Sequence, residues 1–388
     1  MDTENGGTTV ETEFFTHGSE SDPFVTACRE LLPGFSLAYT THGKLNAQAD
    51  NAVLVFHALS GSHHVSGLMT EVPGVERFWT EECHRGWWTD FVGPGLAIDT
   101  DKFHVVCANF LGGCYGSTGP SSTNPTTGKP YGSSFPHLSV RDQVDVQALL
   151  LDHLGIRKAH AVIGVSTGGL MALTFATRHP DRVARVVPIA SGVRTTVLNR
   201  LILFEQILAI ENDPHFHGGN YSPDQPPSLG LALARMISHK TFVHLDAIER
   251  RARGSVVQSD DHFDWYTLRD PVESYILHQS RKFVSRFDAN TYLRLIEMWS
   301  SYDPVAEGGA TCMADLLKRC RDARQHFMVF TIDSDFCFYP EEQAELVAAL
   351  DAAGVSNMYS TVHSEKGHDS FLLEPHLYTP HLKFTLEG

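Results

Sequence analysis

Cysteine is scarce in this chain: seven occur in 388 residues, an odd number with no Cys-x-x-Cys spacing. That speaks against a disulfide framework and against a cysteine-rich zinc site, and the thiols are expected to be reduced and mostly buried. Basic residues are outnumbered, 30 Lys and Arg against 46 Asp and Glu, for a formal net charge of -16. Such a balance argues against nucleic acid or an anionic membrane as a main partner. No apolar run approaches the roughly 18 residues of a membrane span. Residues 1–20 lack both the basic and the apolar region of a signal peptide. Together these absences predict a soluble, cytoplasmic protein with no nucleic-acid or membrane partner. His63-His64 and His215-Phe216-His217 have no third ligand at motif spacing, so no metal is expected and these histidines read as solvent-exposed. Gly112-Gly113-Cys114-Tyr115-Gly116-Ser117 has the glycines of a phosphate loop without the following Lys-Ser/Thr, and reads as a backbone turn.

What is present centres on Gly164-Val165-Ser166-Thr167-Gly168. An apolar run over residues 159–163 leads into it and a helical pattern over 168–178 leaves it. A serine on so tight a strand-to-helix turn needs small residues two before and two after, and its hydroxyl projects at a helix N-terminus. Ser166 is therefore the candidate nucleophile. A serine hydroxyl needs a base, and the base needs a carboxylate to fix its tautomer, so an acid and then a histidine are expected downstream. The apolar run 327–332 ends in Asp333-Ser334-Asp335, and a strand candidate at 358–362 is followed by Gly367-His368-Asp369. His368 is the candidate base; spacing alone does not choose between the two aspartates. An oxyanion hole needs the amide after the nucleophile, Thr167, and one from the loop after an early strand. The buried run 52–56 opens into His57-Ala58-Leu59-Ser60-Gly61, which makes Leu59 the second candidate.

Strand-like runs at 35–39, 52–56, 103–107, 159–163 and 183–189, with a helix over 139–153, specify an α/β fold: a mostly parallel sheet with helices on both faces. The first 23 residues are polar and read as frayed. Alternation stops after residue 189 and resumes at 327, with helical patterns at 197–210, 229–238, 272–287 and 290–300 between. Residues 1–194 and 311–388 are thus expected to form an α/β-hydrolase core, and 195–310 a helical lid insertion. The lid's apolar faces offer a surface for a homodimer.

Several longer segments share one resemblance: residues 51–61, Gly86-Trp87-Trp88 to Gly93-Pro94-Gly95, residues 111–120, Phe287-Asp288-Ala289-Asn290-Thr291-Tyr292, and Gly367-His368-Asp369. Together they closely resemble the homoserine O-acetyltransferase family of α/β-hydrolase-fold enzymes, from about residue 35 to the C-terminus. The resemblance implies ping-pong transfer of an acetyl group from acetyl-CoA to the hydroxyl of L-homoserine, an early step of methionine biosynthesis. Acyl-CoA is then a co-substrate and no cofactor is permanently bound. It selects Asp335 as the triad acid, and implies that Arg235 holds the amino acid's carboxylate and Asp369 its ammonium group.

The chain departs from the family pattern close to these positions. Val165 and Thr167 replace a glycine and a methionine of the usual elbow, so Thr167 is expected to alter the acyl pocket. Phe242 stands for a tyrosine, Ser62 for an aspartate and Phe336 for a tryptophan. Arg294, usually apolar or tyrosine, is a candidate cation for a succinyl group. A succinyl-CoA donor, an L-serine or specialised acceptor, and a plain serine esterase therefore stand as alternatives.

Overall fold

The computed structural model describes residues 8–254 and 265–388. Eight strands form one sheet: β1 (Glu13–His17), β2 (Phe35–His42), β3 (Ala52–Phe56), β4 (His104–Ala108), β5 (Ala159–Val165), β6 (Val183–Ile189), β7 (His326–Ile332) and β8 (Ser356–Val362), in the spatial order β1-β2-β4-β3-β5-β6-β7-β8. β2 runs antiparallel to both neighbours, and every pairing from β4 to β8 is parallel. The central strands read as continuous apolar runs because helices cover both faces. Alternation survives inside them. Leu54, Phe56 and Val162 pack into one core layer, whereas Val53, Val55, Ile163 and Val187 pack into the other.

The register Phe56↔Gly164 and Ile189↔Val165 aligns the carboxyl ends of β3, β5 and β6, so the loops leaving these strands share one edge. A parallel sheet of this kind presents its ligands there. Helix α1 (Val140–His153) starts on a capping box between Ser139 and Asp142. Helix α2 (Thr167–Arg178) leaves the elbow. Between β6 and β7 the described chain is helical: α3 (Val197–Glu211), α4 (Ser228–Phe242), α5 (Leu245–Gly254), α6 (Pro271–Arg286) and α7 (Ala289–Ser300). The chain then returns through α8 (Met313–Asp322), β7, α9 (Pro340–Ala353), β8 and α10 (Pro375–Glu387).

Two expectations need correction. The polar start is not frayed throughout, because residues 13–17 pair with β2 as an edge strand that buries only Phe15. His63 and His64 are not solvent-exposed: both are buried, and Nε2 of each bonds to a protein oxygen, Thr12 Oγ1 and the His84 carbonyl respectively. Burial pushes the His63 pKa down to about 3. Helix α5 was not anticipated, and residues 255–264 of the expected lid, like residues 1–7, lie outside the described residues. No described helix is long and apolar enough to cross a membrane, and no described cluster of three His, Cys, Asp or Glu could hold a metal.

Candidate active site

Ser166 sits between β5 and α2 at φ 57° and ψ -125°, a conformation that costs a non-glycine residue strain. The surroundings hold it there. Its N–H donates to the Ile189 carbonyl at 2.9 Å, and its carbonyl accepts from the Gly169 N–H at 2.9 Å. A Cβ on Gly164 would stand 2.0 Å from the Gly168 carbonyl oxygen, and one on Gly168 would stand 2.3 Å from that of Phe56. Only glycine fits either position, which is the physical content of the sequence pattern.

His368 Nε2 lies 2.8 Å from Ser166 Oγ, and His368 Nδ1 lies 2.6 Å from Asp335 Oδ2. All three side chains are buried. The other Asp335 oxygen accepts from the Cys337 and Phe338 N–H groups at 2.7 and 3.0 Å, so the loop leaving β7 orients the carboxylate through its backbone. Asp333 instead engages the exposed His363 at 2.7 Å and accepts from the Ser364 N–H at 3.1 Å. Burial alone would lower the His368 pKa. The Asp335 carboxylate and its hydrogen bond, with Asp369 and Glu342, outweigh that and leave it raised.

These groups open into a cavity of about 290 Å³ whose lining includes Leu59, Ser166, Arg235, Phe242, His368 and Asp369. Leu59 lies in a turn closed by the Gly61 N–H on the Ala58 carbonyl at 2.9 Å. That turn is supported by His57, whose Nδ1 bonds to the Ala58 carbonyl while Nε2 accepts from the Phe110 N–H. Thr167 is the first residue of α2, so its N–H is among those a helix start leaves without an intrahelical acceptor.

Arg235 points inward rather than to the surface of α4. Its guanidinium stacks 5.2 Å from the Phe242 ring centroid and 4.7 Å from that of Phe283, and its Nε has no hydrogen-bond partner. Burial, then the nearby Arg286, lower its pKa. Asp369 follows His368 on the same short turn and makes no capping hydrogen bond. Burial raises its pKa, opposed by His368, Arg235 and Arg251. Arg235 and Asp369 thus stand in one cavity wall without a hydrogen bond or ion pair to each other, the complement of an amino-acid zwitterion.

The altered positions fall on both sides of expectation. Phe242 lines the cavity with its ring centroid 6.0 Å from that of His368. Ser62 also lines it, while its carbonyl accepts from Trp87 Nε1 at 2.9 Å. Thr167 does not line the cavity: the first turn of α2 turns its side chain into the fold, where Oγ1 is buried without a partner. Arg294 lies elsewhere, bonded to Glu297 and the Ser133 carbonyl beside a different cavity. Phe336 stacks on His244. The cavity's further cations are Arg286, held by Tyr115 at 2.8 Å, and Arg85. Sequence reading missed Arg286, although it directly precedes the Phe287 to Tyr292 segment that carried part of the resemblance.

Residues 51–375 match the family model described as the alpha/beta hydrolase fold, so the chain is an α/β-hydrolase-fold protein. It is 41% identical over 371 residues to a homoserine O-succinyltransferase of Alkalilimnicola ehrlichii, covering 95% of this chain and 93% of that protein. A homoserine O-succinyltransferase of Pseudomonas fluorescens is 42% identical over 91% of this chain and 90% of its own. Among solved structures, a homoserine O-acetyltransferase from Bacillus anthracis superposes with TM-score 0.85 at 23% identity, covering 98% of both chains. Esterase E22 does so with TM-score 0.85 at 24% identity, covering 97% of this chain and all of that one, and both likenesses speak for the fold alone. The chain belongs to the homoserine O-acyltransferase family, and it is an acyltransferase.

Proposed function

We propose that this enzyme transfers a succinyl group from succinyl-CoA to the side-chain hydroxyl of L-homoserine through an acyl-enzyme on Ser166. The observation that carries the acceptor is the presence of both Arg235 and Asp369 in the cavity that holds Ser166, since a water-using esterase needs neither. For the donor, acetyl-CoA was the expectation from resemblance. The homoserine O-succinyltransferases that are 41–42% identical to this chain favour succinyl-CoA instead. Arg286 is the cation in the cavity wall that a second carboxylate would meet; Glu82 of the same wall lies 4.0 Å from it, and Arg85 is engaged with Asp90 at 2.7 Å.

The chemistry divides into two half-reactions. His368 Nε2 takes the Ser166 proton as Oγ attacks the thioester carbonyl, and the amides of Leu59 and Thr167 stabilise the resulting oxyanion. The carbon–sulfur bond then breaks, and the departing thiolate takes the proton from His368, leaving acyl-Ser166 and free coenzyme A. Homoserine binds with its carboxylate on Arg235 and its ammonium on Asp369. Its hydroxyl gives a proton to His368 and attacks the ester, and the proton returns to Ser166 as the serine–acyl bond breaks. Asp335 keeps His368 in the required tautomer throughout.

The described residues of the 195–310 insertion serve as the lid over this cavity, contributing Arg235, Phe242 and Arg286. The chain pairs with a second copy through the lid: Val197, Leu201, Phe204 and Leu208 form an exposed apolar stripe on α3, continued by Leu229 and Leu233 of α4. Reduced cysteines and a coenzyme A donor fit a cytoplasmic place in methionine biosynthesis. The test of the donor is kcat/KM for succinyl-CoA against acetyl-CoA with L-homoserine present. A clear preference for succinyl-CoA is expected; a preference for acetyl-CoA returns the donor to the first expectation.

A further inference from the structure

Behind the candidate triad lies a second carboxyl that the chemistry above leaves unused. Glu342, in the first turn of α9, is buried at 5% exposure. Its Oε1 accepts from the Tyr339 N–H at 3.1 Å, but Oε2 is buried and meets no donor. The backbone walls it in, since a Cβ on Gly192 would stand 2.4 Å from Oε2. An ionised carboxylate with one oxygen buried and unsolvated is costly, and the group relieves that cost by keeping a proton. Glu342 and Asp335 bracket one loop, whose residues 337 and 338 donate to Asp335 and whose residue 339 donates to Glu342.

We propose, on the basis of the triad reading above, that Glu342 is a positioning residue for the Asp335–His368 pair: it holds a proton in the resting enzyme, and its ionisation makes His368 retain a proton more strongly. The groups that face it are Asp335 and Cys337 from the loop, His368 from the turn after β8, Arg194 and the Gly192 backbone from the segment after β6, and Glu345 on its own helix. Arg194 is engaged with Glu345 at 3.1 and 3.2 Å and so does not pair with Glu342. Burial, aided by Asp335 and Glu345 against the Tyr339 N–H and Arg194, pushes its pKa up to about 7. Glu342 is in turn among the charges that raise His368. As pH rises, His368 must lose its proton to act as base, while the charge appearing on Glu342 holds that proton in place. The rise of activity with pH is therefore spread over a wider interval than one ionisation gives.

The experiment is the pH dependence of the rate of coenzyme A release in the first turnover, measured with succinyl-CoA and with acetyl-CoA, for wild type, Glu342→Gln and Glu342→Ala. Glutamine mimics the neutral acid, so Glu342→Gln should move the midpoint to lower pH by about half a unit and sharpen the curve to a single ionisation. Glu342→Ala should show the same shift with a lower Tm, which separates charge from packing. A Glu342→Gln profile with wild-type midpoint and slope overturns the proposal, as does an equal loss of rate at every pH. Infrared titration of the wild-type protein gives a check without mutation: the absence of a protonated-carboxyl band that disappears through neutral pH, and that Glu342→Gln removes, also overturns it. Ser166→Ala is measured alongside; a first-turnover release surviving in that variant rejects the triad reading itself, whatever Glu342 does.

Discussion

Replacing Arg235 by methionine should separate the two half-reactions of this enzyme. The guanidinium lies between the rings of Phe242 and Phe283 and has no hydrogen-bonded carboxylate partner among the described residues. It therefore contributes little that the fold needs, and its burial is a cost that lowers its own pKa. On the proposed binding of homoserine, the same group would make charge-assisted hydrogen bonds worth roughly 1.5–3 kcal/mol each. Losing a two-pronged contact should remove about 3–5 kcal/mol, or roughly 10²- to 5 × 10³-fold in kcat/KM for homoserine. Release of coenzyme A in the first turnover, which precedes acceptor binding, should stay within about threefold of wild type. Methionine keeps the length and apolar packing of the side chain, so Tm should hold or rise. Rapid-mixing measurement of coenzyme A release, followed by homoserine titration at steady state, reads both quantities. The reasoning fails if homoserine kcat/KM is unchanged, or if first-turnover release and Tm fall together, which would make Arg235 a structural residue.

Other outcomes follow from the same geometry. Asp335→Asn should slow acyl-enzyme formation by about 10³- to 10⁴-fold, whereas Asp333→Asn should leave it within about twofold, because only Asp335 fixes the His368 tautomer. First-turnover acylation should fall as pH drops through a midpoint above that of an ordinary histidine, because His368 must be neutral to accept the serine proton and its folded-state pKa is raised; a midpoint below the ordinary value would contradict this. Gly168→Ala should destabilise by about 3 kcal/mol or more, since its Cβ would lie 2.3 Å from a backbone oxygen that cannot move aside; thermal melting reads the loss, and an unchanged Tm would contradict it. Phe204→Glu should yield a monomer by sedimentation while first-turnover acylation persists, as the side chain is exposed on α3 and outside the cavity lining.

Sequence was most informative where chemistry is local. The elbow could be read because Gly164, Ser166 and Gly168 are constrained within five residues, and the strand and helix around them have opposite periods. The α/β order was legible for the same reason: buried parallel strands such as residues 52–56 are unmistakably apolar. The aspartate pair was not legible from spacing, because the turn after β7 decides which carboxylate faces His368, and only backbone donors from residues 337 and 338 reveal that choice. Edge strand β1 was missed since it buries a single side chain, Phe15, and its remaining residues are exposed. The role expected for Thr167 depended on which way the first turn of α2 points its side chain. Arg294 and Arg286 stand eight residues apart in sequence, yet the break between α6 and α7 leaves one beside Ser133 and the other against Tyr115 in the Ser166 cavity. Such placement comes from how helices dock, which no periodicity encodes.

The most direct test of acyl transfer through Ser166 to homoserine is to mix the enzyme with succinyl-CoA alone, locate the acyl group by peptide mass analysis, and then add L-homoserine, L-serine or buffer. The account predicts a succinyl group on Ser166, rapid discharge by homoserine to O-succinylhomoserine, and slow discharge by serine or buffer. A label on another residue, or discharge by water as fast as by homoserine, would contradict it.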